Sequence, residues 1–125
     1  MSMLRKEIKA CMSGLRVDEG GAIRAKFSFP KEFIGFKGHF PGNPVLPGVC
    51  EIQAALLMFE EIKNKNVRLK EIASAKFFAP VTNNQEINIS LEEGQDKDSN
   101  IILKVRLTSD QNKVAELNLK VFFPD

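Results

Sequence analysis

The chain has 125 residues, 43% of them hydrophobic and 27% charged, the proportions of one globular domain and not of a disordered segment. Its 18 basic and 16 acidic residues leave a formal charge of +2, too balanced for a nucleic-acid binder. No stretch approaches the roughly 20 apolar residues of a membrane helix, and Met1 to Ser13 lacks the apolar segment of a secretory signal. Cys11 and Cys50 form no CxxC pair and there is a single histidine, so no structural zinc site is expected and a reducing, cytoplasmic location is the default.

In chain order, the first recognisable unit is a hairpin. Leu15 to Val17 runs into Asp18-Glu19-Gly20-Gly21, which is turn chemistry. Ile23, Ala25, Phe27 and Phe29 then alternate with Arg24, Lys26 and Ser28, the period of a strand with one buried face. Pro30 ends it. Val49 to Asn66 predicts one long helix, with Val49, Ile52, Leu56 and Phe59 at helical spacing. Ala54 to Phe59 is apolar all round, so the helix should be largely buried. Pro47 suits its start, and Asn64 and Asn66 suit its exit. Three further strands are expected: Glu71 to Val81 with Ala73, Ala75 and Phe77 on one face, Ile87 to Leu91, and Leu103 to Leu107. Glu92 to Asn100 is acidic and polar and reads as a loop. Asp110-Gln111-Asn112 reads as a turn before a last strand from Ala115 to Phe123. The sum is an α+β domain spanning residues 1 to 125, an antiparallel sheet wrapped around one long central helix.

The segment from Lys31 to Gly48 is different in kind. It holds Gly38, Gly42 and Gly48, Pro41, Pro44 and Pro47, Phe33, Phe36 and Phe40, and the only histidine, His39. Proline and glycine at this density mark a shaped loop. The run Gly38-His39-Phe40-Pro41-Gly42-Asn43-Pro44-Val45-Leu46-Pro47-Gly48-Val49 resembles the signature of the β-hydroxyacyl-acyl-carrier-protein dehydratases of bacterial type II fatty-acid synthesis. Ala75 to Val81 resembles that family's basic-Phe-x-x-Pro-Val strand, and Lys113 to Glu116 the start of its last strand, so the resemblance covers roughly the whole chain.

The resemblance implies a hot-dog fold and a homodimer or higher homo-oligomer with sites between subunits. It implies an acyl chain carried as a thioester on acyl carrier protein or coenzyme A; no cofactor or metal is expected. In the family the histidine takes the α-proton, an acidic residue on the central helix handles the leaving hydroxyl, and a backbone N–H at the helix start polarises the thioester carbonyl. His39 suits the first role, since imidazole titrates near neutral pH. Gly48 matches the third, because the first N–H groups of a helix lack internal partners and sit at its positive end. Phe36, Phe40, Pro41, Leu46 and Val49 are candidates to line the acyl site, against the plainer reading of core residues beside a buried helix. Cys50 stands in the first helical turn, where thiol pKa values tend to fall, yet a buried, inert cysteine is the stronger reading. Lys31, Lys37, Arg68 and Lys70 offer positive charge to an acidic carrier protein, although lysines are ordinarily just solvated.

One position departs from the pattern. The family's acid falls fourteen residues after the histidine, and that residue here is Gln53. An amide cannot give up a proton at neutral pH. Glu51 precedes it by two residues and should point about 200° away; Glu60 shares its face but lies two turns, about 10 Å, further on. Neither is expected to substitute. Four readings stay open: a dehydratase or hydratase in which Gln53 orients the hydroxyl or water; a composite enzyme completed by a paralogous subunit; a thioesterase; and a non-catalytic acyl-binding module. His39 favours an enzyme and Gln53 a binder.

Overall fold

The computed structural model describes residues 2–37 and 44–124. His39, Phe40 and Pro41 therefore lie outside the described residues. The described residues form helix α1 (Met3–Ala10), strands β1 (Met12–Val17) and β2 (Ile23–Phe27), a 3-10 turn (Ile34–Phe36), helix α2 (Gly48–Lys63), and strands β3 (Arg68–Phe77), β4 (Ile87–Gln95), β5 (Ile101–Ser109) and β6 (Asn112–Phe122). The six strands make one antiparallel sheet in the order β1-β2-β4-β5-β6-β3. Their inward residues, among them Ile23, Ala25 and Phe27 of β2, Ile87, Ile89 and Leu91 of β4, Leu103, Val105 and Leu107 of β5, and Leu117, Leu119 and Val121 of β6, join α2 in one core. This is the curled sheet around a central helix that the sequence leads one to expect.

Helix α2 is buried as its composition requires. Every residue from Ala54 to Phe59 is at most 3% exposed. Each large apolar side chain so enclosed contributes about 1.5–3 kcal/mol relative to exposure. Its exit is set by Asn64, which adopts the left-handed conformation at φ 53°, so the helix ends at Lys63 and not at Asn66. Its start is one residue earlier than expected, at Gly48, with Pro47 as N-cap and no side chain capping the end.

Four expectations are corrected. The chain begins with a helix: α1 is capped by the Ser2 hydroxyl, which accepts from the Arg5 N–H at 3.2 Å, and it buries Ile8 completely. It is held to α2 by Arg5 and Glu60, whose side chains meet at 2.8 Å. β4 runs on through Glu92, Glu93 and Gly94 to Gln95, because these polar residues pair with Lys104 to Ile101 in a long hairpin whose outer end faces water. β2 ends at Phe27, and Phe29 is buried beyond it. β3 has no buried face: Ala73, Ala75 and Phe77 are all exposed, and two irregularities in its pairing with β6 break the alternation. β3 is also an edge strand, with Ile72 45% and Phe77 51% exposed. The turn between β5 and β6 is as expected; Asp110 and Gln111 both take positive φ, the two-residue geometry that matches strand twist.

Candidate active site

The extended segment Pro44 to Pro47 leads into α2 and is fixed by the Leu46 N–H, which donates to the Val81 carbonyl at 2.7 Å. That hydrogen bond brings the end of β3 and the residues after it alongside the helix start. Between them lies an open groove of about 310 Å³, lined by Val45, Leu46, Gly48, Glu51, Phe77, Phe78, Ala79 and Pro80. Its walls are apolar apart from Glu51 and the backbone at Gly48.

Gly48 is needed here for close approach. A β-carbon at this position would meet the Phe77 ring at 2.7 Å, well inside contact distance. The ring therefore lies over the first residue of the helix. With no side-chain cap at Pro47, the backbone at this end faces the groove carrying the positive pole of a 16-residue helix.

Glu51 is the other polar element. It is 3% exposed, and its Oε1 is buried without a hydrogen-bond partner among the described residues. Removal from water pushes its carboxyl up to about 8, so it is protonated at neutral pH. The helix N-terminus favours the ionised form, but burial outweighs it. Neighbouring Cys50 is buried too, and its thiol is pushed up to about 11 by burial and by Glu51. The lowering that a first-turn cysteine can experience is overridden, and the inert reading of Cys50 fits.

Comparison with known proteins places this geometry in a family. The model of the ApeI-like dehydratases matches residues 16–118. The chain belongs to the ApeI-like dehydratase family. The 3-hydroxyacyl-[acyl-carrier-protein] dehydratase FabZ of Enterococcus faecalis is 38% identical over 93 residues, covering 68% of this chain and 60% of that protein. Its counterpart from Nitratiruptor sp. is 30% identical over 124 residues, covering 89% and 84%. Among solved structures, the dehydratase heterocomplex ApeI:P of Xenorhabdus doucetiae is similar with a TM-score of 0.74 at 19% identity, over 88% of this chain and 95% of that one. The HP0420 homologue of Helicobacter felis has a TM-score of 0.69 at 17% identity, over 93% and 90%. The fold is the hot-dog fold.

The groove gathers only some of the residues the sequence singles out. Leu46 and Gly48 line it. Phe36 is buried in the core instead, edge-on to Phe33 with ring centres 5.6 Å apart. Val49 is 56% exposed and Gln53 half-buried, and neither is among the lining residues. Lys31, Lys37, Arg68 and Lys70 are all exposed, and Lys70 donates to the Asn100 side chain at 3.0 Å.

Six residues outside the candidates named from the sequence also line the groove: Val45, Glu51, Phe77, Phe78, Ala79 and Pro80. The helical angle separates Glu51 from Gln53, but its own side of the helix lines the groove together with residues 77–80. The apolar Phe77-Phe78-Ala79-Pro80 run was the signal available for that wall. Glu60 is engaged elsewhere, one oxygen with Arg5 and the other accepting the Val67 N–H at 2.8 Å.

Proposed function

We propose that this chain is a 3-hydroxyacyl-thioester dehydratase, a hydro-lyase acting on acyl carrier protein or coenzyme A thioesters. The reading is carried by one observation: a helix N-terminus at Gly48, with no side-chain cap among the described residues, opens into an apolar groove. A thioester carbonyl needs a fixed donor as charge develops on its oxygen, and an N–H at a helix start is such a donor without reorganisation. The acyl chain needs an apolar wall, which Leu46 and the residues after β3 offer. His39, four residues before Asn43 in the signature loop, takes the proton from C2.

The site works between two subunits, with the free edge of β3 and its exposed Ile72 and Phe77 as the supporting feature for assembly. A second reading follows from Gln53 standing where the family carries a carboxylate: a paralogous subunit completes the site. The similarity to a dehydratase heterocomplex supports it at the level of fold.

The test is turnover. Purified protein is incubated with trans-2-enoyl and 3-hydroxyacyl thioesters of several chain lengths, and enoyl absorbance and free thiol are followed together. Interconversion that is lost in His39→Ala is the expected result. Thiol release without interconversion identifies a thioesterase, and binding without turnover identifies an acyl carrier module; either outcome overturns the proposal. Activity that appears only on mixing with a related subunit selects the composite form.

A further inference from the structure

Gln53 leaves the proposed reaction without a proton donor for the departing hydroxyl, and the inference here rests on that reading. We infer that Glu51 is the general acid of this site, donating its proton to the 3-hydroxyl of a 3-hydroxyacyl thioester held over Gly48. Glu51 sits in the first turn of α2, three residues after Gly48, and the two line the same groove. Its side chain is almost wholly enclosed, yet Oε1 has no partner among the described residues.

A buried carboxyl atom without a hydrogen bond is costly, and folded proteins rarely keep one without a use. The same side chain is the one polar side chain among those that line the groove. The 3-hydroxyl of a bound thioester supplies the missing partner. In the reaction, the C2–H bond breaks and its proton goes to His39. The electron pair forms the C2–C3 double bond, and the C3–O bond breaks. The Glu51 proton joins the departing oxygen to give water. The proton on the imidazole then returns to the carboxylate through solvent, so no other reagent is consumed.

The surroundings keep this acid protonated at neutral pH. It shares the groove with Val45 and Leu46 from the loop before α2, with Phe77 at the end of β3 and with Phe78, Ala79 and Pro80 after it, none of which titrates. Cys50 on its own helix holds its proton in the same range. On the far side of the groove the Lys113 ammonium lies over the Phe78 ring, 5.6 Å from its centre. His39 lies outside the described residues. Burial therefore governs, and the acid form persists to about pH 8.

The experiment measures initial rates of dehydration of 3-hydroxydecanoyl and 3-hydroxybutyryl N-acetylcysteamine thioesters from pH 5 to 10. Wild type, Glu51→Gln, Glu51→Asp and His39→Ala are compared, each with its fold checked by circular dichroism. Wild-type kcat/KM should fall above about pH 8. Glu51→Gln should lower kcat by about 10²–10⁴-fold with KM little changed and should lose that alkaline limb. Glu51→Asp should recover part of the rate and of the limb. Histidine-dependent turnover in which Glu51→Gln keeps wild-type kcat, or a wild-type profile flat to pH 10, overturns the role of Glu51 and leaves the dehydratase reading standing. A wild type that turns over neither thioester, alone or with a paralogue, overturns both.

Discussion

Replacing Glu51 by glutamine keeps the size and polarity of the side chain and removes its proton equilibrium, which makes the variant a probe of stability as well as of rate. The carboxyl is raised from its ordinary 4.5 to about 8 in the folded chain. Between these two values the folded protein holds one proton more than the unfolded chain, so this group makes wild-type stability fall as pH rises. Its contribution is fully retained below pH 4.5, declines by about 1.4 kcal/mol per pH unit through the window, and levels off above pH 8. From pH 5 to pH 8 the loss amounts to roughly 4 kcal/mol, a large share of the 5–15 kcal/mol by which domains are stable. Glutamine has no such slope. Urea unfolding followed by circular dichroism, at one protein concentration and at pH 5, 6, 7 and 8, should show the variant gaining on wild type by that amount across the series. A difference between the two proteins that does not change with pH would refute the assignment of a buried, uncharged carboxyl.

The other expectations are simpler. Gly48→Ala places a β-carbon 2.7 Å from the Phe77 ring and should cost about 1–3 kcal/mol in thermal melts; in a Phe77→Ala background the same change should cost much less, a coupling that a double-mutant cycle reads directly. Phe59→Ala opens a cavity at a fully buried position stacked on Phe123 at 5.8 Å and should lower unfolding free energy by about 3–5 kcal/mol. Cys50, buried and with its thiol at about 11, should resist a disulfide-exchange reagent at pH 8 in the native protein and react promptly in urea; fast native labelling of this cysteine would contradict its placement.

Much of the scaffold can be read from residue order alone, for reasons that are local. The apolar run Ala54 to Phe59 leaves only a buried helix, and the alternation in β2 leaves only a half-buried strand. Where reading failed, the deciding partner was distant in sequence. Glu92 to Gln95 look like loop until Ile101 to Lys104 lie beside them. Met3 to Ala10 has one fully buried residue and owes its place to Arg5 meeting Glu60, 55 residues away. The site divides in the same way. Gly48 is announced by the loop before it, but the environment of Glu51 depends on residues 77 to 80 reaching back across the helix, which no helical angle predicts.

The outermost strand has a consequence for handling the protein. β3 hydrogen-bonds to β6 on one side only, and it offers solvent Ile72 and Phe77 together with a rail of backbone donors and acceptors. Such a rail recruits whatever extended chain meets it first. Left uncovered, this edge is a place where copies of the chain stick to one another without selectivity. How readily the protein stays in solution therefore depends on ten residues at the rim of the sheet.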